Sequence, residues 1–163
     1  MIPLLMIVIG LVGIPTPRNY EEFKAAMLAE VNQYRLNGCN CGNVRMKPVS
    51  ALTWNDALAA SAAEHAIDMH RQGYFDHKSR DGRNYPGRIK EKGYDWEIVA
   101  ENIAYGQKNI AQVVSDWMAS PGHCFNIMNP GIKQMGVAKK GGYWVQDLGS
   151  ARENSLKARV NLR

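Results

Sequence analysis

Three side chains have the types and surroundings that chemistry requires: His77, Glu101 and His123. Ser120 is a good N-cap and Pro121 suits the first position of a helix, so His123 falls in the first turn of that helix. The positive end of the helix dipole disfavours an imidazolium there, and we expect His123 to be neutral at about pH 7 and able to bind a cation or accept a proton. Two imidazoles and one carboxylate can hold zinc with a coordination position left open.

On the residue types alone, a structural role is open for each of these side chains. A loop histidine can hydrogen-bond to the backbone, and a glutamate can cap the helix that follows it. The convergence of His77, Glu101 and His123 on one cleft is therefore a hypothesis that needs support from the rest of the chain.

Two further histidines lie close together, His65 and His70. Five residues along a helix place them roughly 140° apart, so they cannot bind one metal ion from the same helix. His65 falls on an apolar stripe, which predicts a core histidine with satisfied hydrogen bonds, and His70 is predicted near the surface. The pattern is therefore not that of a helical zinc protease.

Two serines near histidines are the candidates for nucleophilic catalysis, Ser79 near His77 and Ser120 near His123. The sequence contains no Gly-x-Ser-x-Gly segment, which places the nucleophile in many hydrolases. Hydrolysis stays open as an alternative function.

Apolar periodicity and capping residues predict helices around a small, mostly antiparallel sheet. The predicted helices run from the Asn19 cap to Gly38, from Thr53 to Gly73, over residues 85–92, from the Asn109 cap to Trp117, and over residues 121–129. The predicted strands are 98–104, 134–139 and 143–148, with a hairpin turn between the last two, and residues 39–50 and 74–87 are predicted loops. This pattern defines the α+β class.

The composition of the 163-residue chain is that of one globular domain, with 45% apolar and 21% charged residues. Its net charge is +5, and residues 152–163 contribute four basic residues and one acid to that balance. No basic stripe with interleaved aromatic residues occurs, so nucleic acid is not an expected partner.

Residues 2–14 are all apolar, Gly or Pro. They are too few to span a membrane as a helix, which needs about 20 residues, and their length suits the apolar part of a secretory signal. No Lys or Arg precedes them, however. We expect an atypical signal peptide and no transmembrane span; an uncleaved anchor and an N-terminal element packed on the core are the alternatives.

The run at residues 120–129, Ser-Pro-Gly-His-Cys-Phe-Asn-Ile-Met-Asn, resembles the Ser-Pro-Gly-His signature of bacterial CAP (SCP-like) domains, a superfamily that includes cysteine-rich secretory proteins, antigen 5 and pathogenesis-related 1 proteins. Further stretches match in the expected order: Leu-Thr-Trp-Asn at 52–55, Phe-Asp-His at 75–77 with Asp-Gly at 81–82, Ala-Glu-Asn-Ile-Ala at 100–104, and Tyr-Trp-Val-Gln-Asp-Leu-Gly at 143–149. The resemblance covers roughly residues 20–150.

The resemblance implies a three-layer α-β-α sandwich with a cleft in which several family members bind a divalent metal. It assigns His77, Glu101 and His123 to this cleft as ligands of zinc or another divalent cation, which folding does not require. Ser120 stands where relatives often have a second glutamate, and this makes a catalytic pair of carboxylates less expected. The chain would divide into an N-terminal apolar segment (1–17), a CAP domain (18–150) and a basic tail (151–163).

The function that the resemblance implies is a secreted or envelope-associated, monomeric binding or effector module for a small apolar, glycan or protein ligand. One alternative is a metal-assisted extracellular hydrolase with Glu101 as the base. Another is a structural surface protein with an unoccupied cleft. Fold similarity alone does not choose among these activities.

The three cysteines are Cys39, Cys41 and Cys124, so a secreted chain would leave one thiol unpaired. A bond between Cys39 and Cys41 would close a strained ring, and Cys124 therefore pairs with one of them. The resemblance to related bacterial sequences, through the Cys-Gly context of Cys41, implies the pair Cys41–Cys124. In a reducing compartment all three would stay thiols.

Overall fold

Within residues 17–152, which the computed structural model describes, the chain forms five helices and six strands. The helices are α1 (Pro17–Asn37), α2 (Asp56–Gln72), α3 (Tyr85–Glu91), α4 (Ile110–Ala119) and α5 (Pro121–Met128). The strands are β1 (Cys39–Cys41), β2 (Val44–Met46), β3 (Thr53–Trp54), β4 (Trp96–Tyr105), β5 (Gln134–Lys140) and β6 (Tyr143–Ala151).

The main sheet has four strands in the order β3-β5-β6-β4. The long strands β4, β6 and β5 are antiparallel neighbours, and β3 adds a parallel pairing over two residues. The register of β4 and β6 places Glu101 opposite Asp147 and Asn102 opposite Gln146. This register brings two acidic residues together in the middle of the sheet.

The side chains of the sheet alternate between two layers of helices. In β6, Trp144 and Leu148 pack into a core shared with α1, α4 and α5, whereas Val145 packs with α2. β4 repeats the pattern, with Ala104 in the first core and Ile103 in the second. The predicted α+β class is confirmed, and the layers are those of an α-β-α sandwich.

Helix α2 lies directly on β5 at Gly136. A Cβ atom at this position would be 2.0 Å from the backbone nitrogen of Ala59 and 2.5 Å from the carbonyl carbon of Leu58. No side chain fits in that space, so the two backbones touch. This contact holds α2, which carries Ser61 and His65, close against the sheet.

The predicted start of the second helix at Thr53 is wrong. Thr53 and Trp54 form β3, and the side chain of Asn55 caps α2 by accepting hydrogen bonds from the first-turn amides. The predicted end at Gly73 is confirmed, since Gly73 adopts the left-handed conformation with φ of 65°. A strand of two residues is too short to show its own periodicity. The apolar spacing of α2 therefore led to a predicted helix start that is too early.

The region predicted as a loop at 39–50 contains a hairpin instead. β1 and β2 are antiparallel, and Cys39 pairs with Met46. Gly42 lies between them with φ of 60°. The first helix begins at Pro17, so Asn19 lies inside α1 and is not its cap.

A buried arginine ties α1 to the end of α5. Arg35 is fully buried and donates to four backbone carbonyls. The acceptors and distances are Ser50 (2.7 Å), Ile127 (2.5 Å), Asn129 (3.0 Å) and Ile132 (3.1 Å). Burial lowers the pKa of Arg35 to about 10, which still leaves the guanidinium charged at neutral pH. This clamp fixes the helix that carries His123.

A disulfide joins Cys41 of β1 to Cys124 of α5, the pair that the resemblance implied, and Cys39 is a free cysteine. The bridge spans 83 residues of sequence. Closing a loop of this length contributes about 4–5 kcal/mol in the chain-entropy account.

The apolar stretch 2–14 and nearly all of the basic tail lie outside the described residues, so the predictions for them stay predictions. None of the helices in the described range 17–152 has the length and apolar character to cross a membrane.

Candidate functional site

Glu101 lies at the centre of a hydrogen-bond network of charged side chains. It lies on β4 with a side chain that is 0% exposed. One carboxylate oxygen, Oε1, is 2.8 Å from Nδ1 of His77, and the other, Oε2, accepts from Arg88 at 2.5 Å. Arg88, on α3, is 1% exposed and supplies the positive charge that a buried carboxylate needs.

The bond to Glu101 orients the ring of His77. A carboxylate only accepts hydrogen bonds, so Nδ1 carries the hydrogen and Nε2 is the nitrogen with the lone pair when the ring is neutral. The side chain is 47% exposed. Arg88 also donates to the backbone carbonyl of His77 at 3.1 Å and to Ser79 Oγ at 3.0 Å. These bonds fix the loop that carries His77. His77 is thus a rigidly held imidazole with one nitrogen open.

His123 lies half-buried in the first turn of α5. The pKa of His123 is lowered, mainly by burial and to a smaller extent by the positive charge of His77. The lowered pKa favours the neutral ring that the sequence predicts, but its main cause is burial and not the helix dipole. The backbone carbonyl of His123 accepts from Asn102 at 3.3 Å, and Asn102 bonds to Gln146 and Asn126 at 2.9 and 2.8 Å.

The predicted site residues come together only in part. His77 and Glu101 are in contact, and His123 is near enough for its ionisation to respond to the charge of His77. Within residues 17–152, only the three cysteines form a group of three or more potential metal ligands whose donor atoms all lie within 4.8 Å of one another. Ser120 occupies the N-cap position of α5 without a side-chain capping bond. A metal site of His77, Glu101 and His123 stays a prediction.

Asp147, like Arg88, is a residue of this region that the sequence patterns did not indicate. It is fully buried opposite Glu101, and Ser61 and Glu101 are the side chains that can bond to its carboxyl group. Burial first, and the negative charge of Glu101 second, raise the pKa of Asp147 well above its usual value. Burial next to Glu101 therefore favours the neutral, protonated form of Asp147. An acid inside a mainly apolar predicted strand, next to Gln146, was the available signal.

The prediction that His65 is a core histidine is confirmed. Its ring is fully buried, and Nε2 is 2.8 Å from the carbonyl oxygen of Asp76. Ser79, a candidate nucleophile, is also buried, and its Oγ accepts from Arg88 and lies 3.4 Å from Nδ1 of His65. His70 is exposed, as predicted.

An open apolar groove of about 1130 Å³ lies at the other side of the domain, along the edge of β5 beyond β3. Phe23 and Trp144 are stacked in its wall with their ring centres 6.4 Å apart. Lys139 Nζ is 4.4 Å from the centre of the Trp144 ring. The groove is lined by Asn19, Tyr20, Phe23, Ala26 and Glu30 of α1, Asp56, Ala59, Ala60 and Ala63 of α2, residues 108–111 around the start of α4, and Val137, Ala138, Lys139 and Trp144 of the sheet.

The chain belongs to the CAP, or cysteine-rich secretory protein, family, whose sequence model matches residues 28–148. The resemblance seen in the motifs is thereby confirmed. Bacillus subtilis (strain 168) has two relatives. YkwD is 37% identical over 94 residues, which cover 56% of this chain and 37% of that protein. The membrane protein YlbC is 29% identical over 99 residues, which cover 61% of this chain and 29% of that protein. The matched part therefore spans about a third of these relatives' length.

Solved structures share the fold at lower identity. An outer surface protein of Borrelia burgdorferi has a TM-score of 0.66 at 18% identity, covering 85% of this chain and 97% of that one. An extracellular SCP-domain protein of Bacillus anthracis has a TM-score of 0.64 at 20% identity, covering 84% of this chain and 44% of that one.

Proposed function

We propose that this chain is an extracellular binding module whose groove along β5 takes a small apolar ligand with an acidic end. The single observation that carries the proposal is the open groove of about 1130 Å³ with an apolar, partly aromatic wall. The extracellular placement is supported by the N-terminal apolar run, by the disulfide, and by neighbours described as extracellular or outer-surface proteins.

The size and lining of the groove favour an elongated apolar ligand. Typical small-molecule sites have about 300–1,000 Å³ and mainly apolar walls with a few polar groups. Ala60 and Ala63 of α2, like Ala26 of α1, contribute short side chains that leave the space open. A single hydrocarbon chain would bury its surface there at about 25 cal/mol per Å².

The charged residues at the rim of the groove favour one orientation of the bound ligand. Lys108 and Lys139 lie at the end formed by α4 and β5, whereas Glu30 and Asp56 belong to α1 and α2. Lys139 is held by the carbonyl oxygens of Gln107 and Lys108, both at 3.2 Å. An anionic group is therefore favoured beside the two lysines.

We expect dodecanoate to bind the wild-type chain and Ala26→Trp to weaken that binding at least tenfold. A tryptophan at this exposed position of α1 would occupy the groove. Calorimetry measures the affinity. Ala25→Trp is the matched control, because Ala25 is also exposed on α1 but does not line the groove. Equal affinities for the two variants, or no binding of dodecanoate and dodecanol to the wild type, would contradict the proposal.

A second candidate function is weak binding of a divalent cation, favoured by the His77–Glu101 bond. A histidine that donates to a carboxylate from one nitrogen is the usual arrangement for metal binding through the other nitrogen. His77 Nε2 and the neutral ring of His123 would hold the ion, with Glu101 as the orienting group. The bound cation would supply a Lewis acid for a ligand oxygen. Because Arg88 already pairs with Glu101, folding would not depend on the metal.

Titration with zinc is expected to show binding that the double variant His77→Ala, His123→Ala abolishes. Glu101→Gln should weaken it by about 10–100-fold, the usual cost of losing such a partner. His70→Ala is the control, since His70 is exposed on α2. Unchanged affinity in the double variant would remove the histidines from the function. A hydrolase would also lose turnover in Glu101→Gln, although both Glu101 oxygens are already bonded, which disfavours a role as base.

A further inference from the structure

Three cysteine sulfurs meet where β1 lies against α5. Cys39 and Cys41 are two residues apart on β1, so their side chains leave the strand on the same face. Cys41 is bonded to Cys124, and the sulfur of Cys39 is 3.8 Å from the sulfur of Cys124. All three sulfurs lie within 4.8 Å of one another. The free thiol is thus beside the disulfide sulfur that it would have to attack.

We propose that this cluster is a thiol–disulfide exchange site in which Cys39 is the nucleophile and Cys124 the sulfur that changes partner. The Cys39 thiolate forms a bond to Cys124 Sγ while the Cys41–Cys124 bond breaks. The electron pair of the broken bond goes to Cys41 Sγ, which takes up a proton from solvent in place of the one that Cys39 released. One disulfide and one thiol are present before and after, so no oxidant or reductant is consumed.

Accessibility gives the three cysteines different roles. Cys39 is half-buried, whereas Cys41 is 1% and Cys124 0% exposed. Solvent therefore reaches Cys39 first, and the disulfide behind it is shielded from external thiols. Burial raises the pKa of Cys39, and the positive charge of Arg45 on β2 opposes this effect. A raised pKa lowers the fraction of thiolate and therefore slows the exchange relative to that of an exposed cysteine.

The exchange acts on the helix that carries His123. Cys124 follows His123 directly, and the hairpin touches the start of the same helix, since a Cβ on Gly42 would be 3.1 Å from the ring of Pro121. Moving the bond from Cys41 to Cys39 shifts the point at which α5 is tied to β1 by two residues. The proposal is independent of the groove and of metal binding.

The wild-type chain tests the exchange directly. It is kept at pH 8.5 without reductant, unfolded in acid at timed intervals, and its free thiols are blocked with N-ethylmaleimide. The disulfide is then reduced and the released thiols are blocked with iodoacetamide. Trypsin gives one peptide, residues 36–45, that holds both Cys39 and Cys41 with Asn40 between them, so fragment ions assign the two labels. We expect the maleimide label to spread from Cys39 to Cys41 with time; a label confined to Cys39 throughout would overturn the proposal.

A pair of variants tests the same site at equilibrium. Cys41→Ser is expected to form a Cys39–Cys124 disulfide during oxidative folding and to contain no free thiol. Cys39→Ser is the matched control, because it keeps the Cys41–Cys124 bond and also contains no free thiol. Two free thiols per chain in folded Cys41→Ser would show that Cys39 cannot reach Cys124 and would overturn the proposal. If Cys41→Ser does not fold, the labelling of the wild-type chain decides.

Discussion

Replacing Arg88 with methionine is expected to lower the free energy of unfolding at pH 7 by about 3–5 kcal/mol, the usual cost of removing one partner of a buried ion pair. The substitution leaves the carboxylate of Glu101, which is 0% exposed, without its cation and beside a second acid, Asp147. It also removes the hydrogen bonds to the His77 carbonyl and to Ser79. Urea unfolding followed by tryptophan fluorescence measures the loss.

Two further variants separate this effect from a general loss of charge. Adding Glu101→Gln to Arg88→Met should restore part of the stability, because it removes the unpaired buried charge. Arg83→Met is the surface control: Arg83 contacts Asp81, Glu64 and Glu91, yet its side chain is 32% exposed. Exposed ion pairs of this kind are worth about 0–1 kcal/mol each. A loss for Arg88→Met no larger than that for Arg83→Met would refute the buried-pair interpretation.

Replacing Asp147 with asparagine is expected to make the chain more stable at neutral pH, by an amount that grows with pH. In the unfolded chain an aspartate titrates at about pH 3.9, whereas in the folded chain the pKa of Asp147 is well above this value. Between the two pKa values the folded state holds a proton that the unfolded state has lost. The wild type therefore loses up to about 1.4 kcal/mol of stability for each pH unit in that window. Asparagine resembles the protonated acid and does not titrate.

The measurement is the difference in unfolding free energy between Asp147→Asn and the wild type at several values between pH 4 and pH 8. The lowered pKa values of His65 and His123 make the folded chain less stable in acid, which is the opposite pH dependence to that of Asp147. This contribution is common to the variant and the wild type, so the difference between them removes it. Asp95→Asn is the control at an exposed aspartate. A difference between Asp147→Asn and the wild type that does not change with pH would mean that Asp147 is ionised in the folded chain.

Elements with strong periodicity and caps were predictable from the sequence. Asn109 caps α4 by accepting from the amide of Gln112, and Gly73 ends α2, both as predicted. β1, β2 and β3 were not predictable in this way, because strands of two or three residues are too short to show alternation. Their existence depends on tertiary contacts: the disulfide at Cys41 and the pairing of β3 with β5.

The candidate site was predictable only where the family resemblance supplied the link. Spacing along the chain does not bring His77 to Glu101; that contact requires α3 to place Arg88 beside both. Asp147 was missed because the residue opposite Glu101 depends on the register of β4 and β6, which a sequence pattern does not give. Arg88 was missed because an arginine in a short helix is ordinarily a surface residue.

The backbone contact at Gly136 has a consequence for the evolution of the buried acids. A single methyl group there would meet Ala59 at 2.0 Å and force α2 away from the sheet. Water could then enter between the helix and strands β4 and β6, and Asp147 would ionise beside Glu101. Gly136 is paired with Asp147 across β5 and β6, so mutational drift at this glycine is limited by the need to keep water away from the buried acids. An alanine at 136 should be tolerated only together with changes that shorten or bend α2.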